Sequence, residues 1–169
     1  MVPMYDELTK VDVEKIQKEL DDRCALRQKL IKDVQTAREF GDLSENFEYK
    51  AAKQEKNRNE SRSRYLRRIL RTATVVSAES AADEVGLFDR VTVFFADDGE
   101  EQVVQLVTTM RQNAMEGLIS KESPLGRAIF GHRVGDTVTV TVSDTVSYPA
   151  EIRKIEKGTD DASLEIRSY

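Results

Sequence analysis

Asp42 and Glu45 stand about one turn apart in the run Gly41-Asp42-Leu43-Ser44-Glu45-Asn46. Carboxylate oxygens are hard ligands of the kind Mg2+ accepts, but that ion keeps several waters and asks for octahedral partners. Two solvent-exposed acids therefore hold it weakly unless other ligands come from elsewhere. A purely structural reading of the same run is also available. Gly41 ends a helix, Asp42 or Ser44 caps the next one, and Glu45 favours the positive end of that helix's dipole. This reading explains the residue types but leaves open why two acids should sit where the chain reverses between its two longest elements.

Three other groups bear on chemistry. Arg62, Arg64, Arg67, Arg68 and Arg71 put five guanidinium groups within ten residues, with Arg64, Arg67 or Arg68, and Arg71 along one helical face. The planar fork of arginine suits phosphate, but the same residues can pair with acids across a helical hairpin, Arg64 with Asp22 and Arg67 with Glu19. His132 is the only histidine and lies among glycines without a Ser, Cys or second His in its motif, which reads as a surface residue. The single cysteine, Cys24, allows neither an internal disulfide nor a cysteine cluster for zinc, in keeping with a reducing compartment.

The elements that position the two acids follow from periodicity. Residues 12–40 contain no Pro or Gly, and Val13, Ile16, Leu20, Leu30, Val34 and Ala37 recur at three-and-four spacing, which predicts a long helix. A second helix is predicted over residues 45–72, with Tyr49, Ala52, Leu66, Ile69 and Leu70 as its apolar positions. So short a connection forces the two to run antiparallel as a coiled-coil hairpin. Reversal about Leu43 pairs Leu20 with Leu66, Ile16 with Leu70 and Val34 with Ala52. The middle of the seam is polar, with Arg23 and Arg27 opposite residues 57–64.

After Thr74 the pattern changes to short runs rich in Val, Thr and Phe, which predict strands over 74–77, 88–96, 102–109, 137–142 and 148–155. Asp97-Asp98-Gly99 marks a hairpin turn. Ser123-Pro124 opens one short helix over 125–130, which Gly131 stops. The expected class is α+β: a helical hairpin over 1–76, a linker over 77–87, and an antiparallel sheet with one helix over 88–169.

Composition agrees with two units. Of 169 residues, 39% are hydrophobic and 34% charged, with no Trp, which is polar for one compact core. The net charge of -5 is uneven. Residues 1–74 hold 17 basic and 14 acidic side chains, and residues 75–169 hold 9 and 17. The acidity argues against a general DNA binder, although the positive half can approach an acidic partner. No apolar run nears the ~18 residues of a membrane span, and residues 1–10 lack the features of a signal peptide. A cytoplasmic protein is expected.

Residues 37–53, Ala-Arg-Glu-Phe-Gly-Asp-Leu-Ser-Glu-Asn-Phe-Glu-Tyr-Lys-Ala-Ala-Lys, resemble the hairpin tip of the bacterial GreA/GreB transcript cleavage factors, with GreA the nearer branch. Residues 119–128 (Ile-Ser-Lys-Glu-Ser-Pro-Leu-Gly-Arg-Ala) and 131–138 (Gly-His-Arg-Val-Gly-Asp-Thr-Val) resemble the family's C-terminal domain. The likeness covers essentially the whole chain, in the family's order of domains. It implies an FKBP-like second domain that docks on RNA polymerase and a hairpin that enters the polymerase's secondary channel beside the nascent RNA 3′ end. It further implies that Asp42 and Glu45 help hold the polymerase's second catalytic Mg2+, so that the polymerase cuts backtracked RNA. The factor is then not itself an enzyme, binds no cofactor tightly, and shares that Mg2+ only within the complex; a monomer with no membrane partner is expected. Gly41, Leu43, Ser44, Asn46 and Tyr49 would shape the tip, Arg62, Arg64, Arg67, Arg68 and Arg71 are RNA-binding candidates, and Ser123, Pro124, Leu125 and Gly126 are candidates for docking. Phe47 departs from the family, which usually has Ala there, and so does the segment Val11-Asp12-Val13. Two rival readings are an inhibitory homologue that fills the channel, although such relatives alter the tip acids, and a peptidyl-prolyl isomerase or chaperone suggested by the FKBP-like fold alone.

Overall fold

The computed structural model describes residues 7–42 and 46–167. Leu43, Ser44 and Glu45 lie outside the described residues. The chain divides into two compact units, one of Val13–Ala73 and one of Met1–Asp12 with Thr74–Tyr169.

The first unit is the hairpin. Helix α1 spans Lys10–Glu39 and α2 spans Phe47–Thr72, about 45 and 39 Å at ~1.5 Å per residue. Helix α1 begins two residues before the predicted start because Thr9 and Asp12 cap it reciprocally. The Asp12 carboxylate accepts from Thr9 N at 3.0 Å, and Thr9 Oγ1 accepts from Asp12 N at 3.3 Å. The helix ends before Gly41, whose φ of 119° lies where side chains other than glycine are strained. Helix α2 starts two residues later than predicted, and its cap is Asn46, not Asp42 or Ser44. Asn46 Oδ1 accepts from Tyr49 N at 2.9 Å, while its Nδ2 donates to Ala37 O at 2.6 Å and ties the two helices together.

The seam follows the predicted alternation of character. Ile16, Leu20, Leu66 and Ile69 are buried at one end. Ile69 takes the place expected for Leu70, which is half-buried. In the middle Asn59 Nδ2 donates to Arg23 O at 3.0 Å and Arg27 pairs with Glu60 at 3.7 Å across the two helices. Such contacts contribute a few tenths of a kcal/mol each and hold the register of the arms more than their stability.

The second unit is built on a five-stranded sheet in the order β5-β4-β3-β7-β6. Its strands are β3 (Arg90–Phe95), β4 (Glu100–Val107), β5 (Leu118–Ser120), β6 (Thr137–Ser143) and β7 (Val146–Glu156), and a separate parallel pair joins β1 (Glu7–Leu8) to β2 (Thr74–Val75). The α+β class holds, but the sheet is mixed where an antiparallel one was expected, because β5 runs parallel to β4. Two 3-10 turns, Thr109–Arg111 and Ala114–Glu116, followed by Gly117 at φ 72°, turn the chain back to bring β5 in alongside. Strand β3 starts at Arg90 instead of Phe88, since Phe88 is a non-glycine residue at φ 68° and cannot continue a strand. Helix α3 (Pro124–Ile129) and the turn at Gly99 fall where the sequence put them.

Val85, Val91, Val93, Leu106, Ile129, Val140 and Ile152 are among the residues that form the core of this unit. The stretch 77–87, read from sequence as a linker, feeds that core. Val85 is buried, its N–H donates to His132 O, and its carbonyl accepts from Gly131 N, both at 2.9 Å. The N-terminal boundary also shifts, because Glu7 and Leu8 pair with Thr74 and Val75. Asp12, in addition, is enclosed with Arg111 at 2.6 Å, both side chains fully buried.

Candidate functional site at the hairpin tip

The tip is the junction of α1 and α2, and its described part comprises Phe40, Gly41, Asp42, Asn46 and Phe47. Phe40 and Phe47 are 72% and 80% exposed, and Asp42 is also exposed. A Cβ on Gly41 would meet nothing within 4 Å, so it is backbone angle and not space that asks for glycine there. Asn46 is the residue that fixes the geometry, since it caps α2 and bonds the last turns of α1 with one side chain. Tyr49 is half-buried, with Lys53 Nζ 5.8 Å from its ring centroid. Of the residues predicted to shape the tip or to ligate metal, Leu43, Ser44 and Glu45 lie outside the described residues.

The arginine run is split by the fold. Arg62 turns into the seam and holds Glu19 with both prongs, at 2.9 and 3.0 Å, while Arg23 reaches the same carboxylate at 2.7 Å. Burial would raise the Glu19 carboxyl's pKa, but the hydrogen bonds from Arg62 and Arg23 outweigh it and hold the group below its ordinary value. The sequence assigned Glu19 to Arg67, which instead donates to Cys24 Sγ at 3.3 Å. Arg64, Arg67, Arg68 and Arg71 are exposed, and Arg68 lies 5.6 Å from the Tyr65 ring centroid.

In the sheet unit, Ser123 Oγ accepts from Gly126 N at 3.1 Å and donates to Ser120 O at 2.6 Å, which caps α3 with Pro124 at its first position. Gly126 is required by space, as a Cβ there would lie 2.1 Å from Ser120 O. The four docking candidates thus build the start of α3, with Leu125 packed on the core. His132 is exposed, with Nδ1 3.3 Å from Asp136 Oδ2. The Asp136 carboxyl is held low first by the Arg133 backbone N–H and then by His132. Sequence reasoning missed Arg111, which reaches Asp12, Asp160 and Thr9 and packs 4.9 Å from the Phe88 ring centroid. A separation of 99 residues from Asp12 leaves no local signal for it.

Among the described residues no group of three or more His, Cys, Asp or Glu side chains is arranged to hold a metal ion. Nor is any helix among them long and apolar enough to cross a membrane. Residues 7–75 match the family model described as Transcription elongation factor, N-terminal, and residues 79–157 match the one described as Transcription elongation factor, GreA/GreB, C-term. The chain belongs to the GreA/GreB transcription elongation factor family.

Two Gre relatives illustrate the likeness. Transcription elongation factor GreA of Streptococcus sanguinis is 37% identical over 152 residues, covering 89% of this chain and 94% of the relative. GreA of Streptococcus pneumoniae is 36% identical over the same spans. Among solved structures, the GreA factor homolog 1 (Gfh1) protein of Thermus thermophilus is 31% identical, with 90% of this chain and 99% of that one covered and a TM-score of 0.42. The hairpin and the five-stranded sheet of this Gre-family chain lie within segments that the family models match.

Proposed function

We propose that this Gre-family chain is an accessory factor of RNA polymerase, not an enzyme in itself. Its hairpin enters the polymerase's secondary channel and stimulates the polymerase's own cleavage of backtracked 3′ RNA. The observation that carries this reading is the exposed Asp42 carboxylate at the junction of two helices of 30 and 26 residues, inside the run Gly41-Asp42-Leu43-Ser44-Glu45-Asn46. The donor chemistry fits a shared Mg2+. Asp42 and Glu45 offer hard oxygens but too few of them for an octahedral ion, so the remaining ligands must belong to the polymerase.

When bound, the second Mg2+ of such a site helps activate the attacking water and neutralises charge at the cleaved phosphate. The work of this chain is positional. Asp42 and Glu45 add carboxylate oxygens that raise the occupancy of the loosely held ion. Asn46, by bonding both helices, ties the start of α2 to the end of α1, and the interlocked seam keeps the arms in register while they are inserted. Ser123, Pro124, Leu125 and Gly126 are proposed to present the start of α3 to the polymerase surface.

The test is a cleavage assay on a stalled, backtracked elongation complex with end-labelled RNA. Asp42→Asn and Glu45→Gln are expected to lower the cleavage rate at least about tenfold, ~1.4 kcal/mol in the barrier, with polymerase affinity nearly unchanged. Parallel losses of binding and cleavage would contradict the reading. Slowed extension without cleavage by the wild type would show a channel-blocking factor instead.

A further inference from the structure

The order of the five-stranded sheet leaves β5 and β6 as its edges. Strand β5 has three residues, but β6 runs for seven, Thr137–Ser143, and carries none of the Pro or charged residues that ordinarily keep an edge from pairing. Which of its backbone groups are free follows from the ladder with β7. Ile152 N donates to Asp136 O at 2.9 Å, and Pro149, which has no N–H, lies opposite Thr139. Bonded pairs alternate along an antiparallel ladder, so Val138 and Val140 exchange hydrogen bonds with β7 while Thr137, Thr139 and Thr141 turn their N–H and C=O groups outward. Among the described residues no backbone group outside β7 bonds to these threonines. The valine side chains enter the core with Ile129 of α3, and the threonine side chains are exposed.

The flat part of this edge, Thr137-Val138-Thr139-Val140-Thr141, reads the same in both directions. We infer that β6 is the seat of a second copy of this chain, joined antiparallel about a twofold axis at Thr139. In that register Thr139 faces Thr139, Thr137 faces Thr141 and Val138 faces Val140. Every outward N–H and C=O then meets its complement, with threonine beside threonine on one face and valine beside valine on the other. A slip of one residue loses both matches at once. The sheet unit is acidic, yet Asp136, which precedes the strand, falls opposite Val142 of the second copy and not opposite another acid. Because the same patch serves both copies, the pair closes at two chains. The shift in register between Thr141 and Ser143 ends the flat run. So short a contact is smaller than the ~800 Å² per partner of a standard interface, which makes the dimer weak and dependent on concentration. The monomer expected from sequence is thus the dilute form.

Sedimentation equilibrium of the full chain from micromolar to millimolar protein tests this. The average mass of the wild type is expected to rise from one chain toward two. Thr139→Lys and Thr139→Glu, which set like charges against each other at the axis, should each stay monomeric, and an equimolar mixture of the two should recover the dimer. The wild type alone supplies a second readout that needs no variant. Amide exchange at Thr137, Thr139 and Thr141 should slow in proportion to the dimer fraction, while exchange at Val138 and Val140 is slow at every concentration. A wild type that stays monomeric to millimolar concentration would overturn the inference, and so would assemblies larger than two. Dimerisation of Thr139→Lys alone would place the contact elsewhere, and a mixture that stays monomeric would exclude the axis at Thr139. If the wild type is monomeric and Thr139→Lys instead weakens binding to polymerase, the edge serves that partner and the inference fails. The tip acids lie in the other unit, so the cleavage proposal stands or falls separately.

Discussion

Arg111 is a fully buried cation whose guanidinium meets Asp12 at 2.6 Å, Asp160 at 2.7 Å and the Asp161 carbonyl at 3.1 Å. These partners offset the cost of burying its charge, and its loss leaves Asp12 buried without its cation. Breaking such a pair from one side costs about 3 to 5 kcal/mol. Arg111→Met is therefore expected to lower the melting temperature of the sheet unit markedly in calorimetry. A change of under a degree would show that water reaches Asp12. Asn46 acts at the tip in two ways, as cap and as tie. Asn46→Ala is expected to cost about 0.5 to 2 kcal/mol of helix stability, read as lost hydrogen-exchange protection in the first turn of α2. Its exchange should otherwise match wild type, because the seam beyond Tyr49 does not depend on it.

The helices show how far local pattern carries. Two Pro- and Gly-free stretches separated by Gly41-Asp42-Leu43-Ser44 were enough to place α1 and α2 within two residues, and Ser123-Pro124 with Gly131 was enough to place α3. The errors arise where partners are distant or signals compete. Asn46 outcompeted Asp42 and Ser44 as the cap because its amide also satisfies Ala37 O on the other helix, a reward that single-helix rules do not contain. Strand β5, only three residues long, has no alternation to detect, and its parallel pairing depends on turns that the sequence marks only by Gly117. The arginines were legible as a cluster, but which of them would face Glu19 depended on the supercoil, and Arg62 won. That pairing carries a pH signature. Glu19 is held below its ordinary value of 4.5, so its contribution to the hairpin is fully present above about pH 5 and is lost as pH falls through the lowered value. Thermal melts followed by circular dichroism should show the loss in acid, and Glu19→Gln should melt lower at neutral pH with a flatter acid limb. A wild-type melt that does not change down to pH 3 would contradict the pairing.

For the molecule as a whole, charge and fold divide along the same line. The basic half coincides with the hairpin and the acidic half with the sheet unit. The acids at the tip were visible in sequence as residue types, and the resemblance to the GreA/GreB family gave them a purpose; geometry alone supplies only the exposed Asp42 and the Asn46 clasp that holds its neighbourhood. Everything functional therefore turns on whether the tip carboxylates act in catalysis or merely in the turn. The decisive measurement is the single-turnover rate of RNA cleavage in a backtracked complex saturated with wild-type or Asp42→Asn protein, across a Mg2+ titration. A role as shared ligand predicts a rate at least about tenfold lower for Asp42→Asn, partly recovered as Mg2+ rises because the weaker ion is then filled by mass action. Equal rates at every Mg2+ concentration would contradict it.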